Sequence, residues 1–256
     1  MPTTDSATIP SVRGAQHAPA LELAGARLDG VAGRIGRGAS AAVPAGSLAA
    51  VRVEGESAGR PVLELLAGRR DPSEGALRIE GVELGALRRI QRARLVRERI
   101  GLVDQRRLLA GGRTVRENLE LPFALAGREI GERDRVRLDG LVASLSLGDE
   151  LDRYPHELCH VRAHRAAIAS ALALSPAVLI VDLPGEDRRT QAAAAADPAL
   201  AEEISRGRRT MLAVVRAFAV DQGLACLAVT AFDDPAEIAD HLIDLRDAGA
   251  RLQAVS

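Results

Sequence analysis

Apolar and polar positions along this chain follow two rhythms. Leu21-Glu22-Leu23 alternates, and Ala41–Ala45 ahead of Gly46 reads as a second short strand. Of four apolar runs, Ser47–Val53 and Ile100–Val103 read as strands, and Ala177–Val181 and Ala225–Val229 have the profile of buried strands, the first of them parallel. Gly75–Gly81 predicts a strand between two glycines, and Asp240–Leu245 a closing strand. Helical spacing of Val62, Leu65 and Leu66 predicts a helix over Val62–Ala67, stopped by Gly68 in the left-handed conformation. Leu87–Arg99 is an Arg-rich amphipathic helix, and Thr114 caps the start of another. Glu132–Leu147 carries Leu138, Leu141, Val142 and Leu145 on one face; Tyr154-Pro155 breaks the pattern before a helix over Val161–Ala173. Gln191–Arg209, Ala-rich and charged, reads as surface helix or loop, with a further helix ahead of Ala225.

Strands alternating with helices imply an α/β fold with a mostly parallel sheet, with Ala177–Val181 expected as a central strand beside Ser47–Val53. The length suits one large α/β domain or two small ones. Residues 1–19, rich in Thr, Ser, Pro and Ala, are expected to be a disordered lead-in.

Composition narrows the chemistry. Aromatic residues make up only 2% of the chain, so the core must be built of Ala, Leu, Val and Ile. A net charge of −1 supplies no global attraction to nucleic acid, which is not expected as a partner. All 34 basic residues are Arg, so no chemistry that requires a lysine can reside here. Cys159 and Cys226 are too few and too distant in sequence to suggest a disulfide framework or zinc site, and reduced thiols in a cytoplasmic protein are the default. No uninterrupted apolar run reaches the length of about 18 residues that a spanning helix needs, and no signal peptide is expected.

The chain is organised around Val51–Gly68, V-R-V-E-G-E-S-A-G-R-P-V-L-E-L-L-A-G. An apolar lead-in, a small-residue turn and a helix form the outline of a phosphate-binding loop, in which backbone N–H groups cradle phosphates, a Lys reaches the β/γ-phosphates and a Ser/Thr hydroxyl holds Mg²⁺. The same Gly55–Gly59 stretch also reads as an ordinary turn, or as a hydrolase elbow around Ser57, although a His and an acid in triad order are wanting.

Further phrases decide the resemblance. Val43-Pro44-Ala45-Gly46 precedes the loop, Leu65-Leu66-Ala67-Gly68 closes its helix, and Ile79-Glu80-Gly81 follows. Then come Ile100–Gln105, Thr114–Pro122, Arg153–Leu158 and Arg165–Leu174. In this order the parts resemble an ABC-transporter ATP-binding subunit over about residues 20–253, most similar to the branch that drives lipoprotein release and macrolide export. The resemblance implies a P-loop NTPase-like cassette over 20–256. It would have a mostly parallel core sheet, an antiparallel β subdomain and a helical subdomain over about 108–174. It also implies Mg-ATP as cofactor, a transmembrane permease as partner, a homodimer or a heterodimer with another ATP-binding subunit, and a cytoplasmic location, peripheral on the inner face of the membrane.

The chemistry-bearing positions depart from that pattern. Aligned without gaps, Gly59 stands at the phosphate-loop lysine, Arg60 at the Mg²⁺-binding hydroxyl and Pro61 just after it; sliding by one puts Arg60 at the lysine and Pro61 at the hydroxyl. Pro61 lacks an N–H and is expected in the first turn of its helix. Gly55, Ser57, Gly59, Arg60 and Pro61 are thus a vestigial phosphate loop. Gln105 matches the family's Mg²⁺ and permease sensor, and also reads as an ordinary polar residue after a strand. The signature Leu-Ser-Gly-Gly-Gln becomes Leu158-Cys159-His160-Val161-Arg162, without the glycines that permit close backbone approach to the γ-phosphate. Asp182 either keeps the Mg²⁺-associated carboxylate or caps the following turn. Leu183 stands at the catalytic glutamate and Ala231 at the switch histidine. Glu186–Arg189 does not read as the family's D-loop, and no aromatic near Leu21–Gly46 offers an adenine platform.

Glu56 and Glu186 read as solvated turn residues rather than replacement bases. His156, His160 and His164 read as surface histidines rather than a metal face, and Arg88–Arg99 as a solvated helix face. Both composite ATP sites of a dimer would therefore be incomplete, and Mg-ATP binding is expected to be weak or absent. The expected function is a degenerate, pseudo-ATPase cassette subunit; the alternative is a divergent ATPase that still binds or slowly hydrolyses ATP.

Overall fold

A strand that is apolar at every position needs a core on each side of its sheet, and the four apolar runs receive one. In the computed structural model, which describes residues 18–29, 38–183, 196–232, 234–246 and 252–254, a six-stranded sheet has the order β10-β9-β3-β8-β7-β6. Its strands are β3 (Leu48–Arg52), β6 (Ile100–Val103), β7 (Val178–Asp182), β8 (Ala225–Thr230), β9 (His241–Asp244) and β10 (Leu252–Ala254), all parallel except β10, which pairs antiparallel with β9. Successive side chains point to opposite faces. Ala49, Val51, Val178, Ile180, Leu227 and Val229 therefore enter one core, while Leu48, Ala50, Leu179, Val181, Cys226 and Ala228 enter the other.

The first core is closed by α1 (Gly55–Leu66) and by a four-stranded antiparallel sheet, β2-β1-β4-β5. The strands of that sheet are β1 (Leu21–Arg27), β2 (Ala39–Val43), β4 (Glu74–Ile79) and β5 (Val82–Glu83). The second core is covered by α3 (Val115–Ala126), α4 (Glu132–Ser144), α5 (His160–Leu172) and α6 (Pro198–Gln222). At Gly101 in β6 an added Cβ would lie 2.5 Å from the Ala171 carbonyl oxygen, so α5 sits on the sheet at a distance only glycine permits. Thr114 caps α3 as expected, its hydroxyl accepting from the Glu117 N–H while the Glu117 carboxylate accepts from the Thr114 N–H. The helix α2 (Arg89–Arg99) precedes β6.

The structure corrects several expectations. β7 does not lie beside β3: β8 is inserted between them and pairs parallel with both. The apolar runs are chemically interchangeable, so local pattern cannot rank their neighbours. Residues 198–222 form one helix rather than two elements, with Leu212, Val215 and Ala219 buried on its inner face. Arg92 and Arg99 in α2 are not merely solvated: Arg92 donates to the Gly68 carbonyl and to Asp71, and Arg99 pairs with Glu80. Of the lead-in expected to be disordered over residues 1–19, residues 1–17 lie outside the described residues, as does Glu186–Arg189.

Helix α1 stops at Gly68, whose φ of 65° is left-handed, and Arg69 N–H donates back to the Glu64 carbonyl at 2.8 Å. A Cβ there would meet Val96 Cγ2 at 2.7 Å and Leu84 Cδ1 at 2.8 Å. Gly68→Ala should therefore cost about 2–4 kcal/mol, from the left-handed backbone and the overpacking together. Urea unfolding of the variant against the parent measures it, and a change below about 0.5 kcal/mol contradicts it.

Candidate functional site

In an open α/β sheet, ligands bind beyond the carboxyl ends of the parallel strands. Here that edge carries the start of α1 after β3, the Asp104–Arg107 turn after β6, and Asp182 at the end of β7. Only Val53 and Glu54 separate β3 from α1, which begins at Gly55. The expected helix over Val62–Ala67 is thus longer at its N-terminal end, and Gly55–Gly59 is neither a turn nor an elbow. Glu54, the residue at the cap, makes no side-chain capping bond. Pro61 consequently lies in the helix interior rather than the first turn, where it withholds an N–H from the Ser57 carbonyl. Ala58 is buried, and Gly59 is half-buried with its notional Cβ 3.7 Å from Val53 Cγ2.

Arg60 is turned inward along this edge. Its Nη1 donates to Asp104 Oδ2 at 2.8 Å and its Nε to Glu64 Oε1 at 3.0 Å. The two bonds, Asp104 first, hold the guanidinium even more firmly charged than usual. Burial alone would push the Asp104 carboxyl up. The hydrogen bonds from Arg60 and from the Arg106 N–H, with the charges of Arg60 and Arg69, outweigh it and keep the pKa below the ordinary value. Asp182 goes the other way. Burial and the neighbouring charge of Asp104 push it to about 6, against the Gln105 N–H and the charges of Arg60 and Arg106. Gln105 opens the short turn after β6 and is half-buried. Arg60, Asp104, Gln105 and Asp182 therefore form one constellation. Its Arg60–Asp104 pair is internally satisfied, and Asp182 beside it takes up a proton below about pH 6. Among the described residues, no cluster of three or more His, Cys, Asp or Glu side chains could hold a metal ion.

The other expected site residues lie around it. Leu183 is fully buried in the second core, its N–H donating to the Val229 carbonyl. Ala231 is partly buried just beyond β8. Gly55 and Ser57 are in the first turn of α1. Cys159 is exposed at the cap of α5, His160 and Val161 are exposed in its first turn, and Arg162 turns back to the Ser146 carbonyl at 2.6 Å and towards Glu150. Arg162 thus bonds back to the segment between α4 and α5 rather than to the Arg60 network. The histidines divide. His160 is exposed, but His164, expected at the surface, is only 4% exposed. Its Nδ1–H donates to the His160 carbonyl, and burial lowers its pKa. It is the inward residue of an amphipathic helix, a position that the four-residue histidine spacing obscured.

Two residues that organise the site were not singled out from sequence. Asp104 sits within a framework phrase and shows its role only once Arg60 lies against it. Asn118, 2% exposed, accepts from the Ala110 N–H and donates to the carbonyls of Ala110, Arg113 and Thr114, so it pins the loop that follows Gln105. An Asn on the inward face of α3 was the available signal.

Comparison with known proteins agrees with this architecture. The family profile described as ABC transporter matches residues 61–186. The macrolide export ATP-binding/permease protein MacB of Azoarcus sp. (strain BH72) is 30% identical over 234 residues, 90% of this chain and 33% of that protein. The methionine import ATP-binding protein MetN 1 of Rhodococcus jostii (strain RHA1) is 31% identical over 208 residues, 81% of this chain and 56% of that protein. The chain thus spans from a third to just over half the length of these two relatives. Among solved structures, cbiO1 from Clostridium perfringens superimposes with a TM-score of 0.69 at 18% identity, covering 92% of this chain and 87% of its own. The bacterial ABC transporter cassette MJ0796, solved as a dimer, gives 0.69 at 21% identity, covering 92% of this chain and 99% of its own. With the two-sheet core, the helices over its second face and these matches together, the chain carries an ABC transporter ATP-binding domain, homologous to the MacB and MetN ATPases.

Proposed function

We propose that this chain is an ATP-binding-cassette subunit of a membrane transporter that lacks competent ATP hydrolysis and serves as a structural or regulatory partner of a permease. It sits on the cytoplasmic face as a peripheral protein and pairs with a second copy or with another ATP-binding subunit. Residues 108–174, with α3 to α5, are its permease-facing helical subdomain. No helix among the described residues is long and apolar enough to cross a membrane, which fits a partner that supplies the span.

One observation carries the reading: Arg60 is wound into a continuous helix with its guanidinium committed to Asp104 and Glu64. A phosphate loop works by presenting free backbone N–H groups and an available cation. In α1 the N–H groups beyond the first turn serve the helix ladder, Pro61 has none, and the cation is taken. Mg-ATP therefore does not fit the residues present. Asp182, pushed to about 6, loses its carboxylate to a proton only below that pH, so its shift by itself does not bar a cation at neutral pH. Leu183 puts a buried apolar side chain at the position of the water-activating glutamate, and Ala231 brings no imidazole. At the start of α5, Cys159, His160 and Val161 replace residues whose small size would admit a phosphate.

Hydrogen bonds to charged phosphate oxygens are each worth about 1.5–3 kcal/mol, so losing two or three moves a micromolar site to roughly millimolar. Titration of the chain with Mg-ATP by calorimetry should give a Kd near millimolar or weaker; a micromolar Kd would overturn the proposal. Repairing the loop alone, with Gly59→Lys, Arg60→Ser and Pro61→Thr together, should tighten nucleotide binding and leave turnover at background, because groups that act as a unit are strongly non-additive. Hydrolysis by that variant at about 1 per second or faster would reveal a catalytic base elsewhere in the chain. The raised pKa of Asp182 has its own test. A carboxyl whose folded-state pKa lies above its unfolded value contributes stability fully below roughly pH 4 and loses it as pH rises through about 6. Denaturation of Asp182→Asn and parent in parallel should show the variant gaining relative stability between those values and levelling above them. A difference independent of pH means an ordinary carboxylate and contradicts the raised pKa.

A further inference from the structure

Helix α1 is built from two unequal halves. Its second half, Val62–Leu66, carries the apolar residues Val62, Leu63, Leu65 and Leu66, each no more than 4% exposed and packed into the first core. The first half, Gly55–Arg60, has two glycines, no side-chain cap and a proline immediately after it. Each glycine disfavours helix by about 1 kcal/mol relative to Ala, and an interior proline by about 3 kcal/mol. The proline also cuts the backbone ladder between the halves, because the Ser57 carbonyl receives no N–H from residue 61. Left to local preference, the helix would begin at Pro61, the residue best suited to a first helical position.

What opposes that preference is the burial of Ala58 and the side chain of Arg60. From the last position of the weak half, Arg60 reaches Glu64 one turn on, bridging the break at Pro61. It also reaches Asp104, which is fixed at the end of β6 and 7% exposed. We infer that Gly55–Arg60 is a latched segment, held helical by the Arg60–Asp104 and Arg60–Glu64 ion pairs, and that breaking the latch releases it to a loop with the helix starting at Pro61. The device depends on this chain's own residues and stands whether or not a nucleotide ever binds. Released, the segment would free an arginine and the backbone N–H groups around it at the carboxyl edge of the sheet.

Amide hydrogen exchange on the full chain reads the latch directly: unwinding of Gly55–Arg60 exposes the N–H groups of residues 58–60 and, by removing the acceptors at 58 and 59, those of 62 and 63, while residues 64–66 stay bonded. Asp104→Asn is the informative variant. Asn keeps the oxygen that accepts from the Arg106 N–H and loses the charge that holds Arg60. It should speed exchange at residues 58–60, 62 and 63 about tenfold or more, with residues 64–66 and β6 unchanged. Arg60→Gln should do the same. Pro61→Ala, which restores the missing ladder bond, should slow exchange at residues 58–60 by a similar factor. Unchanged exchange at residues 58–60 in both Asp104→Asn and Arg60→Gln would overturn the inference. So would acceleration in either of them that extends equally through residues 64–66 and β6, which marks general loosening rather than a latch. No slowing in Pro61→Ala would equally overturn it, since the cut ladder would then not limit the segment.

Discussion

The parallel pairing of β8 between β3 and β7 is the constraint on which the rest of the molecule hangs. These three strands have no polar face, so each needs a full apolar layer above and below the sheet. The antiparallel sheet and α1 supply one layer and α3 to α6 the other, and neither layer could be removed without leaving half the side chains of β3, β7 and β8 in water. With few aromatic residues, Phe123 and Phe218 of the second layer among them, both layers are filled mainly by Ala, Val, Leu and Ile, and α5 approaches Gly101 closely. The sheet also sets the site. Because its strands are parallel, the ends of β3, β6 and β7 come to one edge and bring Arg60, Asp104 and Asp182 together from distant parts of the chain.

At that edge two aspartates beside one guanidinium fare differently. Asp104 holds Arg60 by a direct bond and stays ionised, and its charge makes ionisation of Asp182 costly. The contrast with Asp244 is instructive. Burial works against its ionisation too, but Arg246 and Arg52 both bond it and hold its pKa at about 2. The pair Arg52–Asp244 ties β3 to β9 and is structural, whereas the Arg60–Asp104 pair ties a helix of poor intrinsic stability to the sheet edge. An arginine suits this second task because its fork can serve Asp104 and Glu64 at once, which a lysine ammonium on a flexible stem would do less rigidly.

Much of this was legible in the residues. The strands, the stop at Gly68, the capped start at Thr114 and the inward faces of α1 and α4 follow from periodicity and from residues with narrow conformational preference. The edge of the site was half legible. Asp182 and Gln105 could be located from the strands they follow, but the partner of Arg60 could not. Asp104 lies 44 positions away, and nothing in local pattern couples them. The start of α1 was misjudged for a related reason. Gly55, Gly59 and Pro61 all argue against helix locally, and contacts made by Ala58 and Arg60 override them.

The amino-acid order alone established the class of fold and the identity of most elements. Those properties depend on composition and on spacing within a turn or a strand, which neighbours in sequence determine. The insertion of β8 between β3 and β7, the burial of His164, the loop pinned by Asn118 and the capture of Arg60 by Asp104 belong to the assembled molecule. Each is a pairing of residues far apart in the chain, and which of several similar apolar strands or charged side chains meet is decided by closing two cores on one sheet at once.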